Sequence, residues 1–166
     1  MKYQLIASRL LNMKQVDQEM RGRALSSRSY WDSNVDQNNT ASLKMIVRRM
    51  TGWPTISDVG AEAADAAWLI AQHADHDPEF QLECLDLMKA APENEVPRPN
   101  IARLEDRVRL NMGKPQLYGT QFDEVYGVFI PRPIEDLYNV DDRRKAMGLG
   151  TLSEGLQEMY EKYHPK

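Results

Sequence analysis

The segment Gln72-His73-Ala74-Asp75-His76-Asp77-Pro78 sets two of the three histidines in the chain beside two carboxylates. Histidine is the side chain whose ordinary pKa lies nearest neutrality, so most of the chain's capacity to move a proton near pH 7 is gathered here. On a helix, His73 and His76 are three residues apart and Gln72 and His76 four apart, spacings that put side chains on neighbouring surface. Asp75 and Asp77 are placed to orient an imidazole or to raise its pKa by charge, as proton transfer requires. Two readings fit these residues. One is an acid/base site centred on His73; the other is the polar end of a helix, in which Asp77 is a cap and the histidines pack. A metal site is a third, because His73, His76 and one carboxylate form a ligand set suited to zinc or iron. The sequence lacks the HExxH spacing, and we expect neither a metal nor a cofactor.

A second polar cluster, Gln116-Leu117-Tyr118-Gly119-Thr120-Gln121, carries amide and hydroxyl groups able to orient a substrate. Gly119 lets a backbone or a ligand approach closely, and Tyr118 can donate a proton. Tyr and Thr are equally ordinary strand residues. Arg107 shares a helical stripe with Asn100, Leu104 and Asn111, beside the apolar face. So placed, it either pairs with an internal carboxylate or receives an anionic ligand. Cys84 is the only cysteine, so no intrachain disulfide can form, and its setting among Phe80, Leu82 and Leu85 predicts a buried, inert thiol. The chain has no nucleophile elbow, no phosphate-cradling glycine loop and no zinc-ribbon spacing.

The elements that must position these residues are mostly helical. Leu5, Ile6, Leu10, Met13, Val16-Asp17 and Met20 follow a helical period over residues 3–26. Tyr30-Trp31 predicts an aromatic plug. Residues 36–40, Asp-Gln-Asn-Asn-Thr, read as caps for a second helix over residues 41–47 that ends at Gly52-Trp53-Pro54. Ser57 or Asp58 is expected to cap a third helix over residues 59–74, whose many alanines around Trp68, Leu69 and Ile70 leave no broad polar face. Such a helix is usually central. Asp77-Pro78 starts a fourth helix with a cap and a proline at the first helical position. Residues 92–99 form an exposed connection, residues 100–111 a fifth helix, and Gly113-Lys114-Pro115 closes it. Short β-prone runs at 117–122 and 126–130 flank Asp123-Glu124 and predict a hairpin, with Pro131 and Pro133 arguing against a central strand. Two short helices, 141–147 and 153–163, complete the chain. The expected fold is mainly α: a helical bundle forming a single domain over residues 1–166, with a small β-hairpin near residues 117–130. The amino-terminal residues 1–35 are its least defined part.

At 166 residues the chain is long enough to bury a core. With 42% apolar and 28% charged residues it has the composition of a soluble globular protein. A net charge of -4 and the lack of a basic stripe give no electrostatic case for nucleic acid. No segment approaches a membrane span or a signal peptide, which predicts a cytoplasmic protein.

Taken together, Gly52-Trp53-Pro54, the run Ala67-Trp68-Leu69-Ile70-Ala71-Gln72-His73-Ala74-Asp75, Asp77-Pro78-Glu79-Phe80-Gln81, Asp106-Arg107-Val108, Asn111 and Pro115-Gln116-Leu117-Tyr118-Gly119-Thr120-Gln121-Phe122 resemble a widespread bacterial family of uncharacterised proteins. Pro133-Ile134-Glu135-Asp136, Val140-Asp141, Arg143-Arg144 and Gly148-Leu149 fit the same pattern, and the resemblance covers about residues 36–160. It implies no established activity. It singles out Gln72, His73, Asp75, Asp106, Arg107, Gln116, Tyr118, Thr120 and Gln121, and ties His76 less closely. The expected function is a metal-independent acid/base enzyme, a hydrolase, lyase or group-transfer catalyst on a small polar or peptide-like substrate. His73, Asp75 and Tyr118 would be catalytic; Gln72, Arg107, Gln116, Thr120 and Gln121 would bind substrate. The alternatives are a non-catalytic binding module for a small molecule or peptide, and a structural or partner-binding protein whose polar signature is an internal hydrogen-bond network.

Overall fold

Alanine decides how closely the first helices pack. In the computed structural model, which describes residues 2–27 and 30–163, the fold is mainly α with a two-stranded antiparallel hairpin. His164 lies outside the described residues. The chain divides into two compact units, Met1–Val96 and Pro97–Lys166.

The first unit contains α1 (Gln4–Ser26), α2 (Ser33–Met50), the short α3 (Ile56–Val59), α4 (Ala61–Gln72) and α5 (Pro78–Ala90). α4 is its centre and packs on α1, α2, α3 and α5. Ala63, Ala64, Ala66, Ala67 and Ala71 are buried together with Ile70, and such small side chains let neighbouring helices approach on several sides. α1 buries Ala7, Leu10, Met13 and Met20 on one stripe, with the carboxylate of Asp17 fully buried among them.

Two predicted boundaries in this unit move. α2 starts at Ser33, where Asp32 accepts a hydrogen bond from the Asn34 amide at 2.9 Å. Residues 36–40 therefore lie inside the helix and do not cap it. Their polar groups find other partners, since the Asn39 amide donates to the Met13 carbonyl at 3.3 Å and the Thr40 hydroxyl to the Asp36 carbonyl at 2.8 Å. The expected third helix is interrupted at Gly60, whose φ of 87° no helix contains. Neither Ser57 nor Asp58 caps it: Ser57 binds the Glu95 carboxylate, and Asp58 accepts from the Thr55 hydroxyl at 3.0 Å. The start of α5 is as expected, with Asp77 accepting from the Phe80 amide at 3.1 Å and Pro78 in the first turn. Cys84 is fully buried, and burial pushes its thiol pKa far up, which leaves it inert.

The second unit contains α6 (Arg98–Asn111), β1 (Phe122–Val125), β2 (Val128–Pro131), a 3-10 turn at Leu137–Asn139, α7 (Val140–Ala146) and α8 (Leu152–Tyr163). The hairpin is real but its register differs from expectation. Val125 pairs with Val128 around a two-residue turn at Tyr126 and Gly127, both left-handed with φ of 52° and 77°. Positive φ at both central residues suits the right-handed twist of the flanking strands. Asp123 and Glu124 consequently sit in β1, and residues 117–121 form a loop. Phe129 is the hairpin's buried anchor: its ring meets Tyr160 of α8 edge-on at 5.1 Å, and its amide donates to the Tyr160 hydroxyl at 3.0 Å.

No described helix is long and apolar enough to cross a membrane. Because Ala67 is fully buried in the centre of the first unit, Ala67→Leu overpacks it and lowers stability by about 1–3 kcal/mol, measurable by denaturant unfolding.

Candidate functional site

His73 closes α4, its amide donating to the carbonyls of Leu69 and Ile70. The turn that ends the helix aims the imidazole at α1. Nδ1 lies 2.8 Å from Oδ1 of Asp17, a carboxylate with no exposed surface. Asp17 also accepts from the Gln18 amide at 2.7 Å and from Nε of Arg21, one helical turn on, at 3.1 Å. The same Arg21 Nε lies 3.0 Å from His73 Nδ1, and Arg21 Nη2 donates to Asp36 of α2 at 2.7 Å. The Trp31 ring covers the Arg21 guanidinium at 4.9 Å. Trp31 is half-exposed, so Tyr30-Trp31 is not a core plug, and this stacking is its role.

His73 Nδ1 and Asp17 Oδ1 thus lie within hydrogen-bond distance of each other, and the Arg21 Nε–H points at both. Burial pushes the Asp17 pKa up, but the His73 hydrogen bond and charge, with Gln18 and Arg21, outweigh it and hold the carboxyl below its usual range. No described residue hydrogen-bonds to Nε2 of His73, and the side chain is 17% exposed. Asp36 is shifted the other way, upward, chiefly by burial.

Asp17, Asp36 and His73 each present one ligand atom within 4.8 Å of the others, a possible cation site. The Arg21 guanidinium already bonds both carboxylates and supplies the positive charge, so an ion would have to displace it. His76 is exposed and outside this group. Asp75, expected to orient His73, accepts instead from Gln81 Nε2 at 3.2 Å, and Gln81 also donates to the Ala71 carbonyl at 3.0 Å. Asp17 holds the place expected for Asp75. Gln72 is buried, with an amide nitrogen that has no hydrogen-bond partner among the described residues.

The remaining predicted residues belong to the second unit, around the fully buried carboxylate of Asp106. Oδ1 accepts from the amides of Leu117 at 2.7 Å and Tyr118 at 3.0 Å. Oδ2 accepts from the amide and the hydroxyl of Thr120, both at 2.9 Å. Burial raises the Asp106 pKa, and these four donors act against the rise. From the other side, α7 supplies donors to the loop carbonyls: Arg143 Nε to Leu117 at 2.8 Å and Arg144 Nη1 to Tyr118 at 2.7 Å. Gln116 is fully buried and bonds to the carbonyls of Gln121 and Arg132 and to the amide of Gln121. Gly119 has a φ of 65°, and a Cβ there would stand 2.8 Å from Ile134 and 2.7 Å from Leu152, so protein side chains fill the space expected for a ligand. Arg107 donates to the Gln121 side chain at 3.1 Å. Tyr118 is half-buried near Glu105, and burial with that neighbouring charge pushes its hydroxyl up to about 12, a poor acid at neutral pH.

Asp17, Arg21 and Asp36 were not singled out from sequence. One signal was present: Asp17 falls at a buried position of the α1 stripe, three residues before Met20 and four after Met13. For the Asp106 clamp, sequence marks the residues by family resemblance but gives no sign of who bonds whom.

A family model described as "Family of unknown function (DUF6624)" matches residues 6–166, nearly the whole chain. The chain belongs to this family. No curated protein and no solved structure matches it. In this DUF6624 member, Asp106→Asn turns an NH₂ group toward backbone donors and leaves at least one unsatisfied. It lowers stability by about 1–3 kcal/mol and speeds amide hydrogen exchange at Tyr118 and Thr120, whereas Tyr118→Phe changes stability by about 0.5 kcal/mol or less.

Proposed function

We propose that this protein is a metal-independent acid/base catalyst, a hydrolase, lyase or group-transfer enzyme, acting in the cytoplasm on a small polar or peptide-like substrate. The observation that carries the reading is the His73–Asp17 pair: a buried carboxylate 2.8 Å from Nδ1, with a solvent-reachable ring whose Nε2 has no described partner. A carboxylate on one imidazole nitrogen fixes the tautomer, makes the other nitrogen a better base and stabilises the imidazolium formed when it takes a proton. Arg21 and Asp36 hold Asp17 in place, and Arg21 neutralises the two carboxylates without a metal. The negative net charge and absence of a basic stripe support a small-molecule or peptide-like partner over nucleic acid.

A second reading, an internal brace, is favoured by the way the same network ties α1, α2 and α4 together through Asp17, Arg21, Asp36 and His73. The two are separated by screening ester, amide and phosphoester substrates with wild type and His73→Ala in parallel. The catalytic reading expects turnover in wild type that falls about 10²–10⁴-fold in the variant. Equal turnover in a folded His73→Ala protein, or none in wild type, leaves the brace.

A further inference from the structure

A cleft of about 200 Å³ opens within the second unit, with Arg103 of α6, Arg144 of α7, and Glu158 and Lys162 of α8 on its walls. Arg144 is only 4% exposed and makes no ion pair among the described residues. Its Nε donates to the Gly150 carbonyl at 2.6 Å and its Nη1 to Tyr118 at 2.7 Å, whereas Nη2 has no described acceptor. α8 accommodates this edge of the guanidinium with Gly155, where a Cβ would stand 2.6 Å from Nη2. Glycine inside a helix is less stabilising than alanine, so the room left beside Arg144 comes at the expense of helix stability.

The other cations repeat the pattern. Arg103 is half-buried and makes no hydrogen bond or ion pair among the described residues, and its charge adds to burial in lowering the Arg144 pKa. Among the described residues Lys162 has only the ring of its neighbour Tyr163, at 5.0 Å. Glu158 is the single carboxylate on the cleft wall, exposed and without a described ion pair. Three positive groups, one of them buried with a donor beside Gly155, share the cleft wall with one negative group. The carboxylates of Asp141, Asp106 and Glu158 favour the charge of Arg144 without pairing with it, and a guanidinium edge is shaped for the paired oxygens of an oxyanion.

We propose that this cleft binds the oxyanion group, phosphate or carboxylate, of a small ligand between Arg144 Nη2, Arg103 and Lys162. The apolar side chains of Phe122 and Met159 on the same wall receive the carbon skeleton of that ligand. The site is independent of His73 and stands whichever reading of that residue holds.

The test is titration of the full chain with inorganic phosphate and, separately, acetate, at fixed ionic strength set with chloride, following the backbone amides of α8 by NMR. Saturable shifts at Gly155, Glu158 and Met159 are expected with at least one anion. Arg103→Ala and Lys162→Ala, which leave the buried Arg144 in place, each weaken binding about tenfold or more, and Glu158→Gln strengthens it. Tighter binding of phosphate assigns a phosphoryl ligand; tighter binding of acetate assigns a carboxylate. No saturable shift with either anion, or binding unchanged in Arg103→Ala and Lys162→Ala, overturns the proposal.

Discussion

A carboxylate removed from water must be given donors, and each unit of this protein is organised around one such group. Asp17 has no exposed surface and collects His73, Arg21 and Gln18; Asp106 has none and collects three backbone amides and a hydroxyl. An unpaired buried charge costs several kcal/mol even after relaxation, so the fold around each aspartate is over-determined. The end of α4 at His73, the approach of α2 through Asp36 and the course of residues 117–120 are all conditions of supplying these two groups with partners.

The two centres differ in what they leave available. Around Asp106 every donor comes from a loop that is held on its other side by Arg143 and Arg144, and Gln116 and Gly119 are filled in by protein. That is a structural clamp, and Tyr118 at its edge is a weaker acid than an ordinary tyrosine. Around Asp17 the donors include an imidazole whose far nitrogen remains unengaged. The chemistry of a buried carboxylate is the same in both units; only in the first is it hydrogen-bonded to an imidazole.

Local features were the most legible in the sequence. Asp77-Pro78 starts α5 because both residues act within one turn, and the alanines of α4 announce a central helix because their size alone permits close packing. The start of α2 was misplaced because the polar run 36–40 looks the same whether it caps a helix or faces partners on α1. The long-range bonds of Asn39 and Asp36 decided between them. The hairpin register shifted because Asp106 draws residues 117–120 out of extended pairing, while Tyr126 accepts a left-handed turn beside Gly127. His73 was recognised from its neighbours, but its carboxylate was sought nearby at Asp75 and lies on α1 at Asp17. Helical spacing flagged Asp17 as a buried position; nothing local could name its partner, because that pairing is made by the packing of α1 on α4.

The most direct test of this account is the ¹⁵N NMR signature of the His73 ring near neutral pH, in wild type and in Asp17→Asn. The account predicts a proton on Nδ1, held between the ring and Asp17, and a changed ring signature in Asp17→Asn. A proton on Nε2 alone, with Nδ1 accepting from Arg21, or a ring signature unchanged in Asp17→Asn, would contradict it.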